Sequence, residues 1–249
     1  MTTLAFIHGM YMTAASWESW RELATTAGFE TIAVEWPGHE GDPKAMRANP
    51  PGELRTLGFP DLVGHHAKEL EDHKDAILIG HSVGGLLVQA LLAQGVGKAG
   101  VAISPAPPSG MISLRPEFLR ANLPHTNALL RSKPLPMSSA RFARTFGNAT
   151  APEARDAIWE QFVTPEARGV PLDTLFGRAK VDPAHLTAPL AIYGGTKDRL
   201  IPVSLARKIA ARYPQAEFTA LEGRDHLLCN SPGWDPLADA VLAWAAAVE

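Results

Sequence analysis

The chain has 249 residues, 46% of them hydrophobic and 20% charged, with a formal net charge of -3 at pH 7. That balance fits one soluble globular domain, or one domain with an insertion, holding enough apolar residues for a large core. It excludes several classes: no basic block serves nucleic acid or an anionic membrane, the single Cys229 rules out an internal disulfide and a cysteine-rich metal site, and no apolar run reaches membrane-spanning length. A first strand from about Thr3 leaves no room for a leader, so the expected location is cytoplasmic.

Leu4-Ala5-Phe6-Ile7 is an apolar run that does not alternate, the pattern of a buried parallel strand, and it ends at His8-Gly9. Ser16 is placed to cap a helix carrying Trp17, Trp20, Ala24 and Ala27 on one face, stopped by Gly28. A second strand over Thr31–Val34 ends at Trp36-Pro37-Gly38-His39. Gly41 to Gly58 reads as a loop, and a helix is expected around Asp61 to Asp72. Ala76 to Ile79 is a third strand. It runs into Gly80-His81-Ser82-Val83-Gly84-Gly85 and then a helix apolar almost all round, from Leu86 to Leu92. Ala99 to Ser104 is a fourth strand, closed by prolines.

Strand signals then vanish from about 109 to 188. Short helical pieces replace them: Leu114 to Leu123, Ser138 to Phe146, a segment opened by the capping box Thr150-Ala151-Pro152-Glu153, and a weaker piece over Leu172–Lys180. The alternation resumes with a strand at Leu190–Tyr193 ending near Asp198, a helix opened by Pro202, a strand over Ala216–Leu221, and a last helix from Asp235-Pro236. Strand, helix, strand, helix means an α/β fold with a mostly parallel sheet and helices on both faces. The expected organisation is a core of residues 1–108 and 189–249 with a helical insertion, 109–188.

Ligands in such sheets bind beyond the carboxyl ends of the strands, and chemistry-capable residues gather there. Gly80-x-Ser82-x-Gly84 between a strand and a helix is the pattern of a sharp turn that presents a serine hydroxyl outward. A serine needs a base, and the base an orienting acid. His226 follows the last strand and is the candidate base; the other histidines fit less well, with His65 and His66 read as solvated or packed and His39 as shaping the rim. Asp198, at the end of the fifth strand, is the preferred acid over Asp225, which is adjacent to His226, and over Asp182, which no strand holds. Two backbone N–H groups are the candidate oxyanion donors, Val83 at the start of the helix and Met10 after Gly9. Tyr11 is a candidate side-chain contributor or pocket wall.

With Phe6-Ile7-His8-Gly9, Trp36-Pro37-Gly38-His39, the Gly80–Gly85 stretch, Gly195-Thr196-Lys197-Asp198 with Ile201-Pro202, and Gly223 to His226, the chain resembles the α/β-hydrolase superfamily from residue 3 to its end. The resemblance implies the triad Ser82, Asp198 and His226 and makes 109–188 the family's cap. The hairpin that usually precedes the His-Gly strand is missing, which implies about six strands rather than eight. Small esterases and hydroxynitrile lyases begin in the same way. Epoxide hydrolases and haloalkane dehalogenases attack with aspartate where Ser82 stands. The lyases rely on a lysine beside the histidine, where this chain has Leu227 and Leu228.

The insertion is rich in Leu, Phe and Met, which calls for an apolar pocket. Phe142, Phe146 and Trp159 are its candidate substrate-binding residues together with Tyr11. Arg115, Arg120, Arg131, Arg141, Arg144 and Arg155 punctuate it, read as solvated faces unless one meets a substrate carboxylate. The expected function is cleavage of a carboxylic ester or thioester with apolar groups, through an acyl-enzyme on Ser82, with no cofactor, no metal, no nucleic-acid partner and no membrane partner. Carbon–carbon bond hydrolysis or lyase chemistry at the same triad, and a non-catalytic ligand receptor, are the alternatives the residues leave open.

Overall fold

Six short segments form six strands: β1 (Thr3–Ile7), β2 (Glu30–Val34), β3 (Ile77–His81), β4 (Ala99–Ile103), β5 (Leu190–Gly195) and β6 (Ala216–Leu221). All pair in parallel, in the order β2-β1-β3-β4-β5-β6. The computed structural model describes residues 1–111 and 133–248. The helices that it describes are α1 (Glu18–Thr26), α2 (Pro43–Ala48), α3 (Phe59–Glu69), α4 (Val83–Leu92), α5 (Ser139–Thr145), α6 (Pro152–Phe162), α7 (Gly169–Phe176), α8 (Val203–Ala210) and α9 (Asp235–Ala247).

The pleat sends alternate residues of each strand to opposite faces. Leu4, Phe6, Ile77, Ile79, Val101 and Ala191 pack with Trp17 and Trp20 of the α1 region and with Leu237, Val241 and Leu242 of α9. Ala5, Ile7, Leu78, Ala102 and Ile192 face the other way, against Leu62, Leu86, Leu87, Leu205 and Ile209 from α3, α4 and α8. Both faces are covered, which is why the inner strands read as unbroken apolar runs. The order of connection reverses between β1 and β3, and the carboxyl ends of these two strands carry His8-Gly9 and Ser82 side by side, at the topological switch point.

Several local expectations change. The stretch 41–58 is not all loop: Asp42 accepts the Ala45 N–H at 2.7 Å, Pro43 opens α2, and Met46 and Leu54 are buried. Helix α3 begins at Phe59 because Asp61 reaches back to the Gly58 N–H at 2.8 Å. Ser16 does not cap α1; its hydroxyl donates to the Thr13 carbonyl within a short 3-10 turn, and the α-helix starts at Glu18. Thr150 does not cap α6, which Ala151 precedes; its hydroxyl goes to Asp225 instead.

Among the described residues between β4 and β5, the strand-like pairing is one isolated antiparallel bridge, Leu135–Glu166. The expected helix over Leu114–Leu123, with Phe118 and Leu119, lies outside the described residues, as do Arg115, Arg120, His125 and Arg131. No described helix is long and apolar enough to cross a membrane.

Candidate active site

Ser82 joins β3 to α4 with φ +56° and ψ -118°, a conformation that costs about 1–3 kcal/mol for a residue with a side chain. Its surroundings enforce it. The Ser82 N–H donates to Ile103 O at 2.9 Å, and Ser82 O accepts from Ala106 N–H at 2.8 Å. Neighbouring glycines allow the close approach: a Cβ on Gly84 would overlap the Ile7 carbonyl, and one on Gly80 the backbone of Gly84. A Cβ on Gly9 would stand 2.9 Å from the Ser82 Cβ, so the loop after β1 lies directly against the serine.

That loop is a tight turn. Met12 N–H donates to Gly9 O at 3.3 Å, and Tyr11, at its third position, has φ +65°. Positive φ there is the type II pattern, which glycine or asparagine normally occupies. Thr164 N–H donates to Tyr11 O at 3.0 Å, and Tyr11 N–H donates to Glu166 Oε2 at 2.9 Å. The Tyr11 ring is fully buried, which raises its phenol well above the ordinary range against the opposing pull of Arg141.

Asp198 follows β5 in a turn that it stabilises itself. Its Oδ1 accepts the Leu200 and Ile201 N–H groups, each at 2.8 Å, and its Oδ2 lies 2.7 Å from His226 Nδ1. Both side chains are fully buried. The carboxylate claims the proton on Nδ1 and leaves the lone pair on Nε2. Nε2 is buried and has no hydrogen-bond partner, so no hydrogen bond joins His226 to Ser82; such contacts often close only when substrate is present. The His226 ring is held by His81 on one side, with centroids 4.6 Å apart, and by Phe146 at 5.2 Å. His81 also donates from Nε2 to the His226 carbonyl at 2.9 Å. Burial, with the neighbouring His226, keeps the His81 pKa well below the usual histidine value.

Asp225 has a different position from its rival. Its carboxylate accepts from Ala149 N–H at 2.7 Å, Thr150 N–H at 2.8 Å and Leu227 N–H at 3.1 Å. It ties the His226 loop to residues 149–150 and does not touch the imidazole.

Ser82 opens onto a cavity of about 70 Å³. Met10, Tyr11 and Val83 line it beside the serine; Ala106, Met111, Phe146, Pro171, Leu175, Leu200 and Ile201 make it apolar, and among the described residues none that line it is charged. Of the expected wall residues, Tyr11 and Phe146 are there. Phe142 is fully buried and stacks behind Phe146 with centroids 5.2 Å apart. Trp159 lies elsewhere, under the Arg47 guanidinium at 4.3 Å, in a separate depression shared with Arg55, Lys133 and Arg141. Helical spacing put these aromatics on inner faces without saying which neighbour each face meets. Cys229 packs with Trp17 and Trp20 on the other side of the sheet, away from the cavity, and burial pushes its thiol far up.

Behind the Gly9 turn lies a buried polar group that the sequence did not single out. His8 Nε2 is 2.8 Å from Glu35, His39 Nε2 is 3.4 Å from Glu166, and the His8 and His39 rings are 5.6 Å apart. Burial disfavours the charged His39, but Glu166 outweighs it and raises the pKa. Burial likewise works against the Glu35 carboxylate, and its contacts with His8 and the Ala14 N–H outweigh it, lowering the pKa. His39 is therefore deeper than the rim. Glu166, fully buried after Pro165, is the residue missed: it lies in a stretch with no periodicity, and only the bridge to Leu135 brings it inward. Among the described residues no group of three or more His, Cys, Asp or Glu is placed to hold a metal ion.

A family model described as the alpha/beta hydrolase family matches residues 4–240. Solved structures share the fold over nearly the whole chain. One is the monoacylglycerol lipase of Paleococcus ferrophilus, with 19% identity, TM-score 0.74, and coverage of 99% of this chain and 95% of that one. Another is a methylesterase from Arabidopsis, with 16% identity, TM-score 0.72 and 99% coverage of both chains. A third is tomato methylketone synthase I, with 15% identity, TM-score 0.73, and 100% and 99% coverage. At these identities the likeness is one of fold.

Proposed function

The chain belongs to the alpha/beta hydrolase family, and from that premise we propose that it is a serine hydrolase acting on a carboxylic ester or thioester with apolar groups. The observation that carries the reading is the buried 2.7 Å contact between Asp198 and His226, beside a serine held at φ +56° on the wall of an apolar cavity. Ser82 Oγ attacks the acyl carbonyl while His226 Nε2 takes its proton. The N–H groups of Met10 and Val83 receive the oxyanion. Asp198 fixes the tautomer and stabilises the imidazolium. His226 then protonates the departing alcohol or thiol, and the acyl group remains on Ser82. A water that gives its proton to His226 attacks this acyl-enzyme and releases the acid. The reaction draws on three side chains, two backbone N–H groups and water.

In the same reading, 109–188 acts as a cap, with Met111, Phe146, Pro171 and Leu175 over the serine. The lining favours hydrolysis over lyase chemistry that needs a lysine, because its described residues carry no charge and Leu227 and Leu228 after His226 are buried. A cavity of about 70 Å³ is roughly half the ~150 Å³ that accommodates a benzene ring, so it takes a short acyl group. Nitrophenyl esters test this. Acetate and butyrate esters are expected to turn over at least ~10-fold faster, as kcat/KM, than decanoate or the carboxylate-bearing succinate half-ester, since a poorly fitting or unpaired charged group costs more than 1.4 kcal/mol. Equal rates for all four would contradict the assignment of this cavity to the acyl group.

A further inference from the structure

The Gly9–Met12 turn holds the proposed oxyanion donor Met10, yet its third residue, Tyr11, adopts a backbone conformation that opposes its own side chain, φ +65°. Left-handed φ costs an ordinary L-residue about 1–2 kcal/mol, so something outside the turn must retain it. Both backbone groups of Tyr11 are held by the segment between β4 and β5: its N–H by Glu166 Oε2 at 2.9 Å, and its carbonyl by the Thr164 N–H at 3.0 Å. Glu166 is itself fixed. Its Oε1 accepts the Ala167 N–H at 2.6 Å, its own backbone bridges Leu135 in both directions, and His39 lies 3.4 Å from Oε2. A carboxylate that is 0% exposed is expensive to bury, and here each of its oxygens meets a donor.

We propose that Glu166 is a positioning residue: its carboxylate, reaching from the segment between β4 and β5, holds the strained Tyr11 peptide and so aims the neighbouring Met10 N–H at the oxyanion formed on Ser82. The proposal rests on the serine-hydrolase reading. Its physical content is that the Tyr11 side chain drives φ out of the left-handed region and the Glu166 contact holds it there. Without that contact Tyr11 relaxes toward negative φ, and the Met10–Tyr11 peptide and the Gly9–Met10 amide turn with it; a glycine at position 11 has no such strain to release. The same contact couples the segment over the cavity to the oxyanion site, so the two are set together.

Glu166→Gln tests it, because an amide presents one acceptor where two N–H groups ask for two. The variant is expected to lose about 10- to 100-fold in kcat on nitrophenyl acetate with KM changed by less than about threefold, a loss below the ~10²–10³ of deleting an oxyanion donor outright. The control is Tyr11→Gly, since glycine adopts positive φ without help. If the carboxylate acts by holding the strained residue, Glu166→Gln costs less than about threefold in kcat in the Tyr11→Gly background, and any folding defect of Glu166→Gln is relieved there. Two results overturn the proposal: an unchanged kcat in Glu166→Gln, or an equal loss, in activity or in folding, whether or not Tyr11 is glycine. A parent protein that fails to cleave nitrophenyl acetate in a Ser82-dependent manner overturns the hydrolase reading instead, a separate outcome read before any Glu166 variant is made.

Discussion

Two carboxylates flank His226, and their side chains do different work. Asp198 meets the imidazole at 2.7 Å, and its other oxygen is occupied by two backbone N–H groups, so its orientation is fixed before any substrate arrives. Asp225, one residue from His226, spends its oxygens on backbone groups of residues 149, 150 and 227. Asp198→Asn is therefore expected to lower kcat on the order of 10³- to 10⁴-fold with the fold intact, because an amide at that point favours the wrong imidazole tautomer. Asp225→Asn is expected to keep kcat within about tenfold and to lose about 1–3 kcal/mol of stability, a fall of several degrees in the melting temperature. Steady-state kinetics and thermal melts of the two variants separate these roles; interchanged effects would contradict the placement of the two acids. The placement of Ser82, Asp198 and His226 on one edge of the sheet was legible in the sequence because each follows a strand of a parallel sheet. Glu166 was not, because its burial depends on a bridge between two segments of irregular chain.

Elements were legible where one signal dominated. The apolar runs of β1, β3, β4 and β5 are unmistakable because helices cover both faces and no polar residue interrupts them. Where two local signals competed, spacing alone did not decide. Thr150 sits three residues before Glu153, as a capping box requires, but the Asp225 carboxylate, arriving from the loop before α9, takes its hydroxyl at 2.9 Å. In 41–58 the density of Pro and Gly concealed α2, whose signal was the pair Asp42-Pro43 and whose stability comes from burying Met46. Within 133–188 the aromatic spacing was right and the destinations were not all alike. Phe146 reaches the cavity, Phe142 backs it, and Trp159 is covered by a guanidinium. Tertiary contacts that no periodicity encodes made each of those choices.

The whole molecule carries its titratable groups in a way that fixes its response to pH. His66 and His81 are buried and neutral. Burial drops the His66 pKa to about 3 and the His81 pKa well below 6.5. Below about pH 6.5 the unfolded chain takes up protons that these folded sites refuse, so stability falls with pH by up to ~1.4 kcal/mol per unit per histidine. Glu35, lowered on folding, adds to the loss below its unfolded value of 4.5. His39 acts in the opposite sense: its raised folded pKa contributes stability that is complete below 6.5 and is lost as the pH rises through the folded value. Stability is expected to peak near about pH 6.5 and to fall toward pH 5 with a slope that His66→Leu reduces by about half. Urea midpoints across that range read it directly; a parent as stable at pH 5 as at pH 6.5 would contradict the burial of both histidines.

In the proposed reaction Ser82 carries the acyl group and His226 is its base. The most direct measurement is the mass of the intact protein, and of its peptides, after treatment with a fluorophosphonate. One adduct is expected, on Ser82, with ester hydrolysis lost in proportion, and both adduct and hydrolysis abolished in His226→Ala. Hydrolysis that persists after Ser82 is modified, or a protein that cleaves esters yet takes no adduct at Ser82, would contradict it.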